Sequence, residues 1–464
     1  MYDRKTWVVL ILCGGLLAAN VYYSSKNAEA ERARQAALPK PAPTATVDPS
    51  AAPPSLSVEP PLPPTEEATV VLQNSEVIFT LTNIGGGIKH AELKNQHQVG
   101  SKTELVQINH FGGGPIGGLA GPDETLENLP YAYKAEESVD GKKAVYIAKL
   151  PSGLIAKKTF SLVESDKPGT PYLLDFDLQL ENTAANAVNL NQWSIFLGEA
   201  SPLYQSETPD QTGFFWHENG DMHFNAGTRF KGGWFSSDKS VIKNESASPV
   251  EFAGVTNQFF ATVIRQKEPT VSNVWGKYSD EKLAENAKTV TSVRAGMPLP
   301  ATSLAPSERK TVSYLVFVGP KHNSMLRQMD GHSQWGKGWG DVMQYGSWLQ
   351  WVARPLNFLL NTYHGLLDGV AKKWSWGLAI ILLTITVRIF IWPLHAKSTH
   401  TMKRMAKLQP KMAELKEKYP DDPNKLNTEM MGLYRKYGIN PLGGCLPMFL
   451  QIPIFFGFYK MLQY

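Results

Sequence analysis

The residue with the most chemistry to explain is Arg388, in Ile380-Ile-Leu-Leu-Thr-Ile-Thr-Val-Arg388-Ile-Phe-Ile-Trp-Pro393, a fixed positive charge in an otherwise apolar run. A guanidinium in hydrocarbon is costly unless it faces water or a partner, so an intramembrane charge is read first as a functional residue. The alternative is snorkelling: about six residues, roughly 9 Å of helix, separate Arg388 from the end of the run, within reach of its long side chain. Thr384 and Thr386 favour a hydrated pocket, although a threonine hydroxyl also bonds its own helix backbone. A second concentration of charge follows in Lys403, Arg404, Lys407, Lys411, Lys416, Lys418, Arg435 and Lys436. Such a surface meets anionic lipid, ribosomal RNA or acidic proteins, or only fixes membrane topology.

Other patterns carry less. Gly112-Gly-Gly114-Pro-Ile-Gly117 matches a dinucleotide fingerprint in form, but Pro115 and the glycines after it leave no helix to hold a pyrophosphate. His217-Glu218-Asn-Gly220-Asp-Met-His223 has one residue too many for a zinc-protease helix, and its Asn-Gly pair predicts a hairpin turn. No nucleophile elbow or phosphate-loop lysine motif occurs. Cys13 and Cys445 lie in apolar stretches at opposite ends of the chain, which reads as packing and not as a disulfide or metal pair. No catalytic residue, metal or cofactor is expected, and nothing argues for an enzyme.

The elements that must position these residues follow from composition and period. With 464 residues, 42% of them hydrophobic, the chain has room for a soluble part and a few membrane spans. A net charge of +4 with no dense basic face gives no case for DNA. Residues 1–25 read as an N-terminal anchor, and Ala28-Glu29-Ala30 offers a signal-peptidase site as the alternative. Residues 26–67 are Pro- and Ala-rich and too poor in large apolar side chains to form a core, so they tether.

From residue 68 to 335 short alternating runs recur, clearest in Leu174-Asp-Phe-Asp-Leu-Gln-Leu-Glu181, with Val77–Leu81 and Thr311–Val318 in support, which predicts a large antiparallel β-sandwich. Over 341–370 the period changes to three and four through Tyr345, Trp348, Leu349, Val352, Leu356, Leu359, Leu360, Tyr363 and Leu367, an amphipathic interfacial helix or one packed on the sandwich, with Pro355 as a break or kink.

Residues 374–394 form a full span with tryptophans near its ends. Residues 395–440 hold ten Lys/Arg against five Asp/Glu, which puts them in the cytoplasm and the β domain outside. Within them Met405, Leu408, Met412, Leu415 and Tyr419, then Leu426, Met430, Leu433 and Tyr437, predict two helical arms joined by Tyr-Pro-Asp-Asp-Pro423. Residues 443–464 read as a third span.

Thr386-Val-Arg388, Trp392-Pro-Leu394, Leu408-Gln-Pro-Lys411, Glu429-Met-Met431, Tyr434, Asn440-Pro-Leu-Gly-Gly-Cys-Leu-Pro447 and Gln451-Ile-Pro-Ile-Phe455 resemble, in order and spacing, the YidC family of membrane protein insertases. The block covers 341–464, and Lys231-Gly-Gly-Trp234 and Asn257-Gln-Phe-Phe-Ala261 extend a weaker similarity into the β domain of the Gram-negative form. The resemblance implies an α-helical transmembrane core and a periplasmic β-sandwich like that of sugar mutarotases without their activity. It also implies a mobile cytoplasmic hairpin and an inner-membrane location. Arg388 and Thr384 are then expected in a hydrophilic groove closed to the outside, with Gln451, Ile452 and Phe455 along the substrate path. Lys403, Arg404, Lys407, Lys411, Arg435 and Lys436 are expected on the recruiting hairpin. Expected partners are nascent membrane proteins, the Sec translocon, the ribosome and membrane lipids. Family members of this form have five spans, so a sequence that stops after the third reads as truncated. Two other readings compete: an anchored periplasmic carbohydrate enzyme, which needs paired carboxylates or a His/Glu pair in one cleft, and a scaffold that binds the translocon without moving substrate.

Overall fold

The computed structural model describes residues 66–463 except 112, 122, 125, 127, 205, 206, 208, 233–236, 244–247, 272, 283–288, 301, 333, 345–349, 421 and 439–445. The expected anchor over 1–25 and nearly all of the expected tether lie outside the described residues. The described residues divide into two compact units, one of residues 360–453 and one of residues 66–359 with 454–463.

The larger unit is built on antiparallel sheets. Nine strands run in the spatial order Asp221–Ala226, Gly213–Glu218, Pro249–Thr256, Phe260–Val271, Arg309–Pro320, Leu173–Asn182, Leu154–Leu162, Lys143–Lys149 and Ala132–Tyr133. A five-stranded sheet is centred on Thr289–Pro298 and Ser194–Ala200, and a four-stranded meander runs from Thr69 to Ile108. The alternation read from Leu174 to Glu181 is the strand Leu173–Asn182: Leu174, Phe176, Leu178 and Leu180 are buried, while Asp175, Asp177 and Gln179 lie half-buried on the other face. Period-2 patterning fixes that register, because a slip of one residue exchanges the two faces.

Phe176 stacks on Phe160 with ring centroids 4.4 Å apart and on Tyr314 at 5.4 Å. The same core takes in Ile195 and Leu197 of the five-stranded sheet. Fully burying a side chain such as Phe176 contributes about 1.5–3 kcal/mol. The Asn-Gly pair makes the expected hairpin: Glu218 pairs with Asp221, and Asn219 (φ 52°) and Gly220 (φ 82°) form the turn, both left-handed as a two-residue hairpin requires.

Packed chain continues beyond the last strand. The short helix Asn323–Met329 buries Leu326 and Met329, and a 3-10 turn over Trp339–Met343 buries Trp339, Val342 and Met343. The amphipathic helix spans Gln350–Ala371 with Pro355 inside it; Val352, Leu356 and Leu360 are buried, while Tyr345, Trp348 and Leu349 fall outside the described residues.

In the smaller unit one helix runs from Ser375 to Ala406, past the expected end at 394 and into the basic segment. Its Ser375–Pro393 portion is, of the described helices, the one long and apolar enough to cross a membrane. The first arm is not the single helix its stripe suggested. The chain turns at Lys407–Leu408 and restarts as Gln409–Lys418, because Pro410 has no N–H to give the preceding turn and sits instead in the first turn of a new helix. Asp422 caps the second arm, Pro423–Lys436, by accepting from the Lys425 N–H at 3.0 Å. The arms meet through Leu408 and Tyr434, with Met405, Met412, Met431 and Leu433 around them. The second arm therefore turns Tyr434 inward, where the spacing had pointed to Met430 and Tyr437. A final helix covers Leu446–Gln463 with Pro453 inside it.

Candidate functional site

Arg388 lies on the Ser375–Ala406 helix five residues before Pro393, and its side chain is exposed. Among the described residues its guanidinium has no hydrogen-bond or ion-pair partner. The hydroxyls nearby are committed to their own helix: Thr384 Oγ1 donates to the Ile380 carbonyl at 2.8 Å and Thr386 Oγ1 to the Leu382 carbonyl at 2.9 Å. Thr386 also meets the Tyr363 hydroxyl at 2.9 Å, which ties this helix to the helix before it, and His364 stacks on Trp376 at 3.8 Å. Exposed apolar residues cover much of the remaining surface, among them Ile381, Leu382, Ile385, Ile389, Phe390 and Trp392. Within the Ser375–Pro393 stretch, among the described residues, the site is thus a free cation on an apolar surface.

Gln451, Ile452 and Phe455 are exposed and share one face of the last helix, at spacings of one, three and four residues. Among the described residues no hydrogen bond joins them to Arg388. Lys403, Arg404, Lys407, Lys411, Arg435 and Lys436 are all exposed on the hairpin. Two of them close it. Arg404 donates to the Tyr437 carbonyl at 2.9 Å, and Lys411 donates to the Tyr437 hydroxyl while lying 4.7 Å from its ring centre. That hydrogen bond holds the Tyr437 hydroxyl below its ordinary value. Lys403, Lys407, Arg435 and Lys436 stay free for a partner among the described residues.

One cluster escaped sequence reasoning. His217, 2% exposed, lies with Nδ1 3.3 Å from Glu251 and Nε2 3.7 Å from Asp341, and Asp341 pairs with Arg354 of the amphipathic helix at 2.9 Å. Arg265 bridges Glu251 at 3.2 Å and the Lys337 carbonyl at 2.8 Å and lies over the rings of Phe252 and Trp339. Asp330 accepts from the Trp339 and Gly340 N–H groups at 2.7 and 3.0 Å. The cluster clamps the start of the amphipathic helix onto the sandwich. No spacing signals it, since its members come from five separate stretches of chain.

The carbohydrate-enzyme alternative needs a His/Glu pair in one open cleft; His217 is buried and Glu251 half-buried, and they pair within the clamp, beside a cleft of about 850 Å³ lined by Asp330, Asp341 and Arg354. Glu199 and Glu281 flank Arg294 at 3.0 and 3.1 Å, which makes an ion-pair bridge between strands. The cavity beside Glu199 and His110 measures about 30 Å³, room for about one water and not for a sugar ring. Among the described residues no group of three or more His, Cys, Asp or Glu could hold a metal.

Two family descriptions match: "YidC periplasmic domain" over residues 69–359 and "60Kd inner membrane protein" over 367–464. Curated proteins named "Membrane protein insertase YidC" are similar along most of the chain. The one from Syntrophus aciditrophicus is 29% identical, covering 86% of this chain and 68% of its own. That from Anaeromyxobacter dehalogenans is 30% identical, covering 86% and 69%. A third, from Syntrophobacter fumaroxidans, is 42% identical over 34% of this chain and 26% of its own. The chain thus spans about two thirds of the length of the relatives it matches along most of its course. Among solved structures it is similar to a putative aldose 1-epimerase from Escherichia coli at 10% identity and a TM-score of 0.32, covering 55% of this chain and 100% of that one.

Proposed function

The chain belongs to the YidC family, one of insertases and not of enzymes, and from that premise we propose that it inserts inner-membrane proteins and helps them fold, alone or with the Sec translocon, through a hydrophilic groove containing Arg388. The observation that carries this reading is the exposed, unpartnered guanidinium within the apolar Ser375–Pro393 stretch. In hydrocarbon such a charge costs several kcal/mol. In a water-filled groove it is solvated, and it attracts carboxylates while apolar residues of the substrate pass into lipid. A cation partway across also shortens the stretch of hydrocarbon that a substrate's polar residues must cross.

The reading extends to the remaining surfaces. Thr384 and the Gln451, Ile452 and Phe455 face line the path, 374–394 and 443–464 span the membrane, and the free cations of the hairpin recruit ribosome-bound chains or anionic lipid. The test is insertion of a small phage-coat-like substrate in cells depleted of their own insertase and supplied with this protein. Arg388→Ala is expected to lower insertion at least tenfold, a loss of about 1.4 kcal/mol, and Arg388→Lys to retain part of it. Full insertion by Arg388→Ala, and by a hairpin with Lys403, Lys407 and Lys436 changed to Glu, would leave only the scaffold role.

A further inference from the structure

The groove reading names one cation, and the structure offers a second polar group on the same track. His395 follows Arg388 by seven residues on one continuous helix, just under two turns, so it sits about 20° around the axis and about 10 Å further along. It lies just past the apolar Ser375–Pro393 stretch, at the cytoplasmic mouth of the reading above, and its imidazole is exposed. Thr384 and Thr399 complete this face at spacings of four residues. Their hydroxyls are taken: Thr384 donates to the Ile380 carbonyl at 2.8 Å and Thr399 to the His395 carbonyl at 2.9 Å. Leu382, Ile385 and Ile389 occupy the neighbouring exposed face, which suits lipid. Among the described residues, the N–H donors of Arg388 and His395 on the Thr384–Thr399 face have no partner, and the exposed indole of Trp392 lies at its edge.

We propose that His395 is a specificity-determining contact for acidic substrate segments, receiving a carboxylate at the mouth before Arg388 receives it within the membrane. The proposal rests on the groove reading and deepens it. Charge complementarity selects the occupant: both stations are N–H donors, and the helix runs on into Lys403 and Arg404, whose field draws acidic chain toward the mouth. Two stations about 10 Å apart let a carboxylate keep a donor within reach during transfer, which lowers the largest single desolvation step.

The test reads contact directly. A photo-crosslinker is introduced as Thr399→benzoylphenylalanine, and stalled ribosome-bound substrates carrying either two Asp or two Asn in the N-terminal tail are irradiated. The acidic tail is expected to crosslink about fivefold more than the Asn tail, the size of one charge-assisted hydrogen bond in a partly wet site. That preference is expected to vanish in His395→Ala and persist in His395→Lys. A preference that is absent, or unchanged in His395→Ala, overturns the proposal. Because crosslinking reports contact and not insertion, it decides the role of His395 whichever way the Arg388→Ala insertion result falls, and only the latter decides the groove.

Discussion

Lys158 occupies a core-facing position between Ala156 and Phe160, where alternation puts an apolar side chain, and it is fully buried. Its side-chain nitrogen donates to the carbonyls of Gly85 and Gly117 at 2.7 and 2.8 Å and lies 4.7 Å from the Tyr131 ring centre, so it staples two loops to the nine-stranded sheet. Burial pushes its pKa down from 10.5 to about 7. Between those values the unfolded chain binds a proton that the folded chain does not, so stability rises with pH across that window and is lost as pH falls toward 7. Thermal unfolding of the detergent-solubilised protein between pH 7 and 10 should show the sandwich transition moving upward, and Lys158→Met should flatten that slope. An unchanged slope in the variant would assign the effect to other groups.

Two elements depend on single packed residues. Gly338 (φ 94°) carries the chain across the clamp, and a Cβ there would lie 2.7 Å from His217 Nε2. Gly338→Ala therefore combines left-handed backbone strain with displacement of a buried ring, a loss of about 1–3 kcal/mol. Its sandwich should unfold about 5 °C earlier; equal midpoints would mean that the clamp yields without cost. In the hairpin, Tyr434 is the buried anchor and its hydroxyl donates to Met412 Sδ at 3.5 Å, whereas Tyr437 is exposed and serves Arg404 and Lys411. Tyr434→Ala should open the arms to protease at several times the parental rate, from a loss of about 2 kcal/mol. Tyr437→Phe keeps the ring and the carbonyl that Arg404 uses, and should be cleaved close to the parental rate.

For the whole molecule the distribution of charge sets orientation. On the proposed reading, ten Lys/Arg against five Asp/Glu over 395–440 hold that segment on the cytoplasmic side, with the domain matched by the periplasmic-domain family across the membrane. Alkaline phosphatase fused after Pro320 should be active, and the same enzyme fused after Lys436 inactive. Activity at both positions would overturn the assigned orientation.

What repeats along the chain was legible in the sequence. Period-2 runs gave the strands and an apolar run gave the helix with Arg388 in it, because each is a local property summed over neighbours. The order of motifs from Thr386 to Phe455 gave the family. Tertiary structure decided what depends on residues distant in sequence. It put Lys158 under carbonyls 41 and 73 residues away and joined His217 to Asp341 and Arg354. It also turned Tyr434 inward in place of Met430 and left Arg388 and His395 with free donors on one helix face among the described residues. Helical spacing limits which residues share a face, but which face a neighbour covers is settled only when the elements pack.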